Sequence, residues 1–513
     1  MRVALIGAGP GDPGLFTLRG RELLEKADVV IYDALVNPEI LKFACGESEK
    51  IYVGKISSRH TLPQEGINHL IAEKALQGKK VVRLKGGDPY IFGRGGEEAE
   101  YLYEKGISFE VVPGISSAIA APAYAGIPLT HRDLVSSLSI ITGHENPEKN
   151  ASAINWHALA ESGSTLVFVM GVKNLTAISE RLIEAGLSPS TPAAIIYRGT
   201  TPMQRSLYAT LTDLPQKAND ACFTNPSVIV VGKVTALHDR LDWFSAKPLL
   251  GRRIVVTRAR EQASGMVASL RALGAEVVEA PAIVIQPLEN YAEIDEALAR
   301  LKQYHWVIFT SVNGVSYFWQ RLHAACMDSR DLGGLKVAAI GPATADALRE
   351  RGIEADLVPN SYIAEAVARA LVEREGPNLA GMNILLPRAA VARMVLPAEL
   401  ERHGAKVHVV PLYTSNPDME GAEKMRELVK KDKIDCVCFG SSSTVRNFLE
   451  CVTPELMRQR PRIALAAIGP ATAATLAEYG LKMAIMPEKY TIPDLVGAIE
   501  AHFRNMPREN ACR

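Results

Sequence analysis

The string AAIGPATA spans residues 338–345 and returns, unchanged, at 466–473. Eight identical positions mark two copies of one unit rather than a composition bias. The surroundings agree as well. Gly352, Pro359 and Tyr362 in the first copy match Gly480, Pro487 and Tyr490 in the second, all 128 residues on. Upstream, Phe309-Thr310-Ser311 answers Phe439-Gly440-Ser441 at an offset of 130. Solenoid repeats run at roughly 20–50 residues, so this period predicts two whole α/β domains. A duplicated unit of this kind commonly forms a cleft between its lobes.

Outward from the repeat, β-branched runs alternate with helical stretches. Arg253–Thr257 begins a fresh domain after a boundary near 244–252, and its repeat partner is Asn383–Pro387. The first 240 residues give strand candidates at Val3–Gly7, Val29–Tyr32, Lys80–Leu84, Phe109–Val112, Leu138–Thr142, Thr165–Met170, Ala193–Tyr197 and Ser227–Gly232. Strands separated by helices predict an α/β chain with largely parallel sheets. At 513 residues, three or four domains are expected.

Composition narrows the function class. Apolar residues make up 47%, charged residues 22%, and the net charge is zero. A broadly basic nucleic-acid binder is disfavoured. Seven cysteines without a C-x-x-C pair argue against a disulfide framework or structural zinc, so buried thiols in a reducing cytoplasm are expected. The N-terminus lacks a full apolar core and a small-residue cleavage site, so no signal peptide is predicted. Residues 111–130 carry no charge, yet Pro113, Pro122 and Pro128 with Gly114 and Gly126 oppose a continuous membrane helix.

The motifs with chemistry lie at strand ends. Gly7-Ala-Gly9-Pro10-Gly11-Asp-Pro13-Gly14 follows the first strand and formally matches a dinucleotide fingerprint, with Asp33 ending the next strand. Pro10 and Pro13 remove N–H donors that a pyrophosphate would use. On the loop alone, a nicotinamide dinucleotide, another nucleoside-like ligand and a structural turn all stay open. Arg83–Pro89, Phe92–Glu98 and Val112–Ala118 add further Gly/Pro-rich strand ends. Together they predict one crevice at the carboxyl ends of a sheet.

At these strings the leading half resembles the uroporphyrinogen-III C-methyltransferases of the tetrapyrrole methylase family. The matching stretches are GAGPGDPGL (7–15), YDALV (32–36), GK…H..PQ..IN (54–68), RLKGGDPYIFGRGGEE (83–98), VPGISSAIAAPAYAGIPLTHRD (112–133) and MG (170–171). The resemblance implies two α/β subdomains over 1–245, breaking near 113–135, with S-adenosylmethionine in the cleft between them. It places that cofactor against Pro10, Gly86, Gly87, Asp88, Ile91, Ser116, Ser117, Ala118 and Met170. It makes Lys55 a functional lysine and Asp33 a candidate to take the proton that a methylated pyrrole ring must lose. A substrate with eight carboxylates needs a cationic mouth, for which Arg59, His60, Arg94 and Arg132 are candidates. No metal is expected. The family also implies a homodimer.

The trailing half resembles uroporphyrinogen-III synthase, on VVTRAR (255–260), FTSVNGV (309–315), both AAIGPATA strings, PLYTS (411–415) and FGSSSTV (439–445). The residues themselves predict four helix N-termini, with Thr310, Ser311, Thr344, Ser441, Ser442 and Thr472 able to meet a polycarboxylate. Plain capping is the competing reading for each. The family implies two flavodoxin-like lobes within 250–513 joined by a two-stranded connection. One lobe would take about 250–286 plus 415–513, the other about 287–414. Tyr413 matches the family's important tyrosine, and a phenol with an ordinary pKa of about 10 suits proton donation near neutrality. The expectation is a cytoplasmic bifunctional enzyme acting on small-molecule tetrapyrroles, with an NAD-dependent dehydrogenase joined to a non-catalytic two-lobed module as the rival.

Overall fold

The computed structural model describes residues 2–54, 62–143, 154–257, 260–280, 283–360, 364–390, 394–417, 419–504 and 506. These form four sheets with helices on their faces.

The first sheet contains β1 (Val3–Gly7), β2 (Val29–Tyr32), β3 (Glu49–Tyr52), β4 (Val81–Lys85) and β5 (Phe109–Val112), all parallel, in the order β3-β2-β4-β1-β5. Alternate side chains serve opposite faces, as strand geometry demands. Val3 and Leu5 pack with Ile71 and Leu102 on one face, while Ala4 and Ile6 pack with Leu24 and Ile40 on the other. Both faces are covered, which is why these strands read as continuous apolar runs.

The second sheet contains β6 (Leu138–Thr142), β7 (Thr165–Val169), β8 (Pro192–Tyr197), β9 (Arg205–Thr210) and β10 (Ser227–Val231), ordered β6-β7-β10-β8-β9. Only β6 and β7 run parallel, and the other three pairings are antiparallel. This corrects the expectation of largely parallel sheets. Strands buried on both faces look alike in sequence whichever way they run. β3 and β9 escape the sequence reading because both are edge strands. EKIY and RSLYAT carry no unbroken apolar run, and β9 is half-buried throughout.

The trailing half contributes β11 (Arg253–Val256), β12 (Glu276–Glu279), β13 (Ile283–Pro287), β14 (Trp306–Phe309), β15 (Lys336–Ala339), β16 (Asn383–Ala389), β17 (Lys406–Pro417), β18 (Cys436–Phe439) and β19 (Ala464–Ala467). They form a parallel sheet β12-β11-β18-β19 and a sheet β13-β17-β16-β14-β15. The internal duplication is visible in the pairing. Ala338 bridges Leu357 as Ala466 bridges Ile485. Yet β11 and β12 of the first copy share a sheet with β18 and β19 of the second. Each lobe is thus assembled from both copies, and the antiparallel ladder β13–β17 runs between them.

Between the halves the chain is pinned rather than loose. Phe244 is buried and its ring lies 4.8 Å from Tyr124, while fully buried Leu249 joins the core of the β11 sheet. Among the described cysteines, Cys436 and Cys438 are buried. Cys45 and Cys326 are exposed, and Cys222 is disulfide-bonded, so the expectation of seven buried thiols is corrected.

Candidate functional site

The three glycine bends of the leading half meet. Gly9 and Gly87 exchange both backbone hydrogen bonds, at 3.1 and 2.8 Å, and the Ala8 N–H donates to Lys85 O at 2.7 Å. A Cβ on Gly7 would lie 2.5 Å from Gly114 Cα and 2.6 Å from Gly87 O, and one on Gly114 would overlap the Gly87 carbonyl. Only hydrogen can occupy those positions, so the strand ends of β1, β4 and β5 close against each other. Asp88 fastens the joint. Its Oδ1 accepts from the Tyr90 and Ile91 N–H groups at 2.8 and 3.0 Å, and its Oδ2 from the Gly114 N–H at 2.9 Å.

The second sheet supplies the opposite wall. A Cβ on Gly11 would meet Thr201 Cγ2 at 2.6 Å, and the Asp12 N–H donates to Thr200 Oγ1 at 3.1 Å. Tyr124 donates its hydroxyl to Asp12 Oδ2 at 2.8 Å, and burial with the nearby carboxylate pushes the phenol pKa up. Met170 follows β7 with φ +58 and is 46% exposed. Its neighbour Val169 belongs to the same core cluster as Ala118 and Ala121 of the helix Ser117–Tyr124.

The expected cofactor residues divide accordingly. Pro10, Gly86, Gly87 and Ser117 are partly exposed, and Ile91 and Met170 are open. Asp88 and Ser116 are buried. Ser116 caps its helix through the Ala118 N–H, so both frame the bends. Ala118 is 0% exposed and belongs to the core of the second sheet. Lys55, Arg59 and His60 lie outside the described residues. Arg94 is exposed and paired with Glu97 at 2.6 Å, and Arg132 is exposed with no ion pair among the described residues.

Beneath Asp33 lies a charge network that the sequence reading misses. Asp33 Oδ2 is 3.6 Å from Arg83 Nη2. Arg83 Nε donates to Glu98 Oε1 at 3.1 Å, and Lys85 Nζ to the same oxygen at 2.7 Å. Gln64 Nε2 adds a third donor at 3.1 Å, while Glu98 Oε2 has no hydrogen-bond partner among the described residues. Arg83, Lys85 and Glu98 are all buried. Burial, then the Arg83 charge, lowers the Lys85 pKa. The signal was available. Two cations spaced i, i+2 inside an apolar strand share a face and require a buried counter-ion.

In the trailing half, the four expected helices start at Val312, Pro342, Ser442 and Pro470. Ser311 caps the first by accepting from the Gly314 N–H at 3.0 Å, and Ser441 caps the third through the Thr444 N–H at 3.3 Å. Ser442 donates to Ala471 O at 3.1 Å, and Thr310 is half-buried. Thr344 and Thr472 are buried, at 4% and 3% exposure. The residues open to solvent at these two helix starts are the preceding Pro342-Ala343 and Pro470-Ala471.

Tyr413 lies on β17 opposite a register shift in β16 at Arg388/Ala389. Such irregularities re-aim side chains. Its hydroxyl is 3.1 Å from Ser311 Oγ, and its ring 5.3 Å from that of Tyr317. Ser311 Oγ therefore joins a helix N-terminus to the phenol. Arg388, close enough to interact electrostatically with Tyr413, is buried, and burial lowers its pKa. It is a further cation that sequence reasoning passes over. Among the described residues, no three His, Cys, Asp or Glu side chains are grouped to hold a metal ion, and no helix is long and apolar enough to cross a membrane.

Crevice and lobes together define two α/β units, each with strand ends and helix starts open to a ligand. Residues 2–215 match the Tetrapyrrole (Corrin/Porphyrin) Methylases and residues 264–497 match Uroporphyrinogen-III synthase HemD. The chain is 43% identical to the porphyrin biosynthesis protein HemD of Ruminiclostridium josui, over 96% of each chain. It is 50% identical to a uroporphyrinogen-III C-methyltransferase of Bacillus subtilis, over 48% of this chain and 95% of that protein. A solved uroporphyrin-III C-methyltransferase from Thermus thermophilus, complexed with S-adenosylhomocysteine, aligns at 37% identity and TM-score 0.40, over 46% of this chain and 100% of that one. The chain belongs to the family of tetrapyrrole biosynthesis proteins in which a tetrapyrrole methylase is fused to a uroporphyrinogen-III synthase.

Proposed function

We propose that the trailing unit, 250–513, closes hydroxymethylbilane to uroporphyrinogen III with inversion of the last ring. The leading unit, 1–245, then methylates that product at C2 and C7 to give precorrin-2. The observation that carries the reading is the closure of the three glycine bends on one another, with the Thr200-Thr201 segment against Gly11 and Asp12.

That cradle suits S-adenosylmethionine. At Gly87 (φ +70) the nearest atom to an added Cβ is Ser116 Cα at 4.0 Å, so bare backbone faces open space. Pro10 withholds an anion-binding donor, and exposed Ile91, Ile115 and Met170 offer apolar contact. When bound, the cofactor supplies an electrophilic methyl group on a sulfonium. Walls that fix donor and pyrrole within reach do most of the catalytic work. Asp33, held by Arg83, accepts the ring proton after the new C–C bond forms. Lys55, Arg59, His60, Arg94 and Arg132 meet the carboxylates.

In the synthase unit, Tyr413 hydrogen-bonds the departing hydroxyl as water leaves. The helix N-termini at Ser311, Ser441 and Ser442, with Arg388, hold substrate carboxylates. The enzyme works in the cytoplasm as a homodimer through its leading half, which light scattering checks. Separable variants test the assignment. Asp33→Asn should cut methylation of supplied uroporphyrinogen III at least tenfold and leave ring closure unchanged, while Tyr413→Phe should do the reverse. Loss of both activities in either variant, or of neither, contradicts it.

A further inference from the structure

A cavity of about 1610 Å³ lies between the second sheet of the leading half and the β11–β19 lobe. That exceeds the roughly 300–1,000 Å³ usual for small-molecule pockets. It is not the synthase site. Asp435 and Ile463, which line it, precede β18 and β19, whereas the helix N-termini at Ser441 and Gly469 follow those strands. Among the described residues, one short segment joins it to the glycine crevice. Thr200 and Thr201 meet Gly11 and Asp12, while Arg198, Met203 and Gln204 face the cavity.

Its lining is rich in cations, with nine lysine or arginine side chains against three aspartates, although Arg253 and Arg458 pair at 2.8 Å with Glu276 and Glu455 outside it. The acids are largely engaged. Asp435 accepts from the Arg253 N–H at 2.8 Å and pairs with Arg252 at 3.5 Å, and Asp242 accepts from the Ser245 N–H at 3.0 Å. Several cations meet no carboxylate. Arg205 donates to Ala221 O and Cys222 O, and Arg460 to Val429 O and Lys430 O. Lys433 and Lys482 are exposed without an ion pair among the described residues. Flat surfaces are present too, since the Arg205 guanidinium stacks 5.0 Å from Tyr197 and 4.8 Å from Phe223. Cations that meet no carboxylate repel one another across a shared cavity, and a polyanion relieves that repulsion.

We propose that this cavity binds a flat polycarboxylate, the macrocycle that one half releases and the other consumes, outside both reaction centres and beside the bend at Gly11. The ligand class rests on the function proposed above. The probe is uroporphyrin III, the oxidised octacarboxylate, titrated by fluorescence against the full chain without turnover. Replacing Lys433→Glu and Lys482→Glu together should weaken one binding step at least tenfold, with the difference shrinking as salt rises. Each half-reaction, assayed on its own supplied substrate, should stay within twofold. Lys433→Gln with Lys482→Gln should fall between wild type and the reversal at unchanged Tm, which separates charge from folding. An unchanged isotherm in the reversed variant overturns the site. Binding of tripolyphosphate with no binding of uroporphyrin overturns the ligand class. Failure of the wild-type chain to turn over either supplied substrate would instead defeat the functional reading, and the titration reports independently of it.

Discussion

Glu98 is the buried counter-ion of the charge network in the leading half. Its one hydrogen-bonded oxygen receives Arg83, Lys85 and Gln64. Removing one member of a buried ion pair strands the others and costs about 3–5 kcal/mol. Glu98→Ala should therefore lower stability by that amount in denaturant titration, and it should also release Asp33 from the anchored Arg83. Glu98→Gln, which keeps one acceptor, should cost less. The opposite order would remove Glu98 from this role. Tyr413 sits in a gentler position. In the proposed reaction the substrate is activated by its own pyrroles, so Tyr413→Phe should slow ring closure about tenfold, or ~1.4 kcal/mol, and leave measurable activity. At this scale the sequence was legible as far as a motif marks a residue to test, as at Asp33 or Tyr413. It was not legible where a role depends on burial. Ala118, Thr344 and Thr472 belong to matching strings, and nothing in those strings shows that the fold buries them.

At the scale of elements, the crevice depends on backbones touching. Gly114 has an ordinary backbone conformation, but a methyl there collides with Gly87 O and lies 2.6 Å from Gly7 Cα. Overpacking of this kind costs about 1–3 kcal/mol. Gly114→Ala should lose S-adenosylmethionine binding at least tenfold by calorimetry, while ring closure by the trailing half persists. Wild-type binding in that variant would mean that the bends do not form the cofactor wall. The Tyr124–Asp12 bond ties the second sheet to the same loop. Its phenol pKa lies above the ordinary 10.0 when folded. Above about pH 10 the unfolded chain therefore binds fewer protons than the folded one, and stability falls as pH rises. Tyr124→Phe should flatten that alkaline decline, and an unaltered slope would contradict the assigned shift. Eight strands of the leading half could be located from apolar runs. Their directions could not, because β8 and β10 bury both faces as parallel strands do, while β3 and β9 advertise nothing at the sheet edges.

Across the whole molecule, the duplicated string predicted two lobes, but assembly of each lobe from both copies follows from pairing rather than from local sequence. The two enzymes also bear on each other. Lys42 reaches Glu279 at 3.1 Å and Arg271 reaches Glu39 at 3.0 Å, both across the junction. Exposed pairs of this kind contribute little each, so the buried anchors Phe244 and Leu249 do more to hold the halves together. The fusion places maker and user of one macrocycle in a single chain. Its direct test is to give the purified full chain hydroxymethylbilane together with methyl-labelled S-adenosylmethionine and identify the tetrapyrrole by mass spectrometry and isomer analysis. The account predicts a type III product carrying two labelled methyl groups. An unlabelled product, or one of type I, would contradict it.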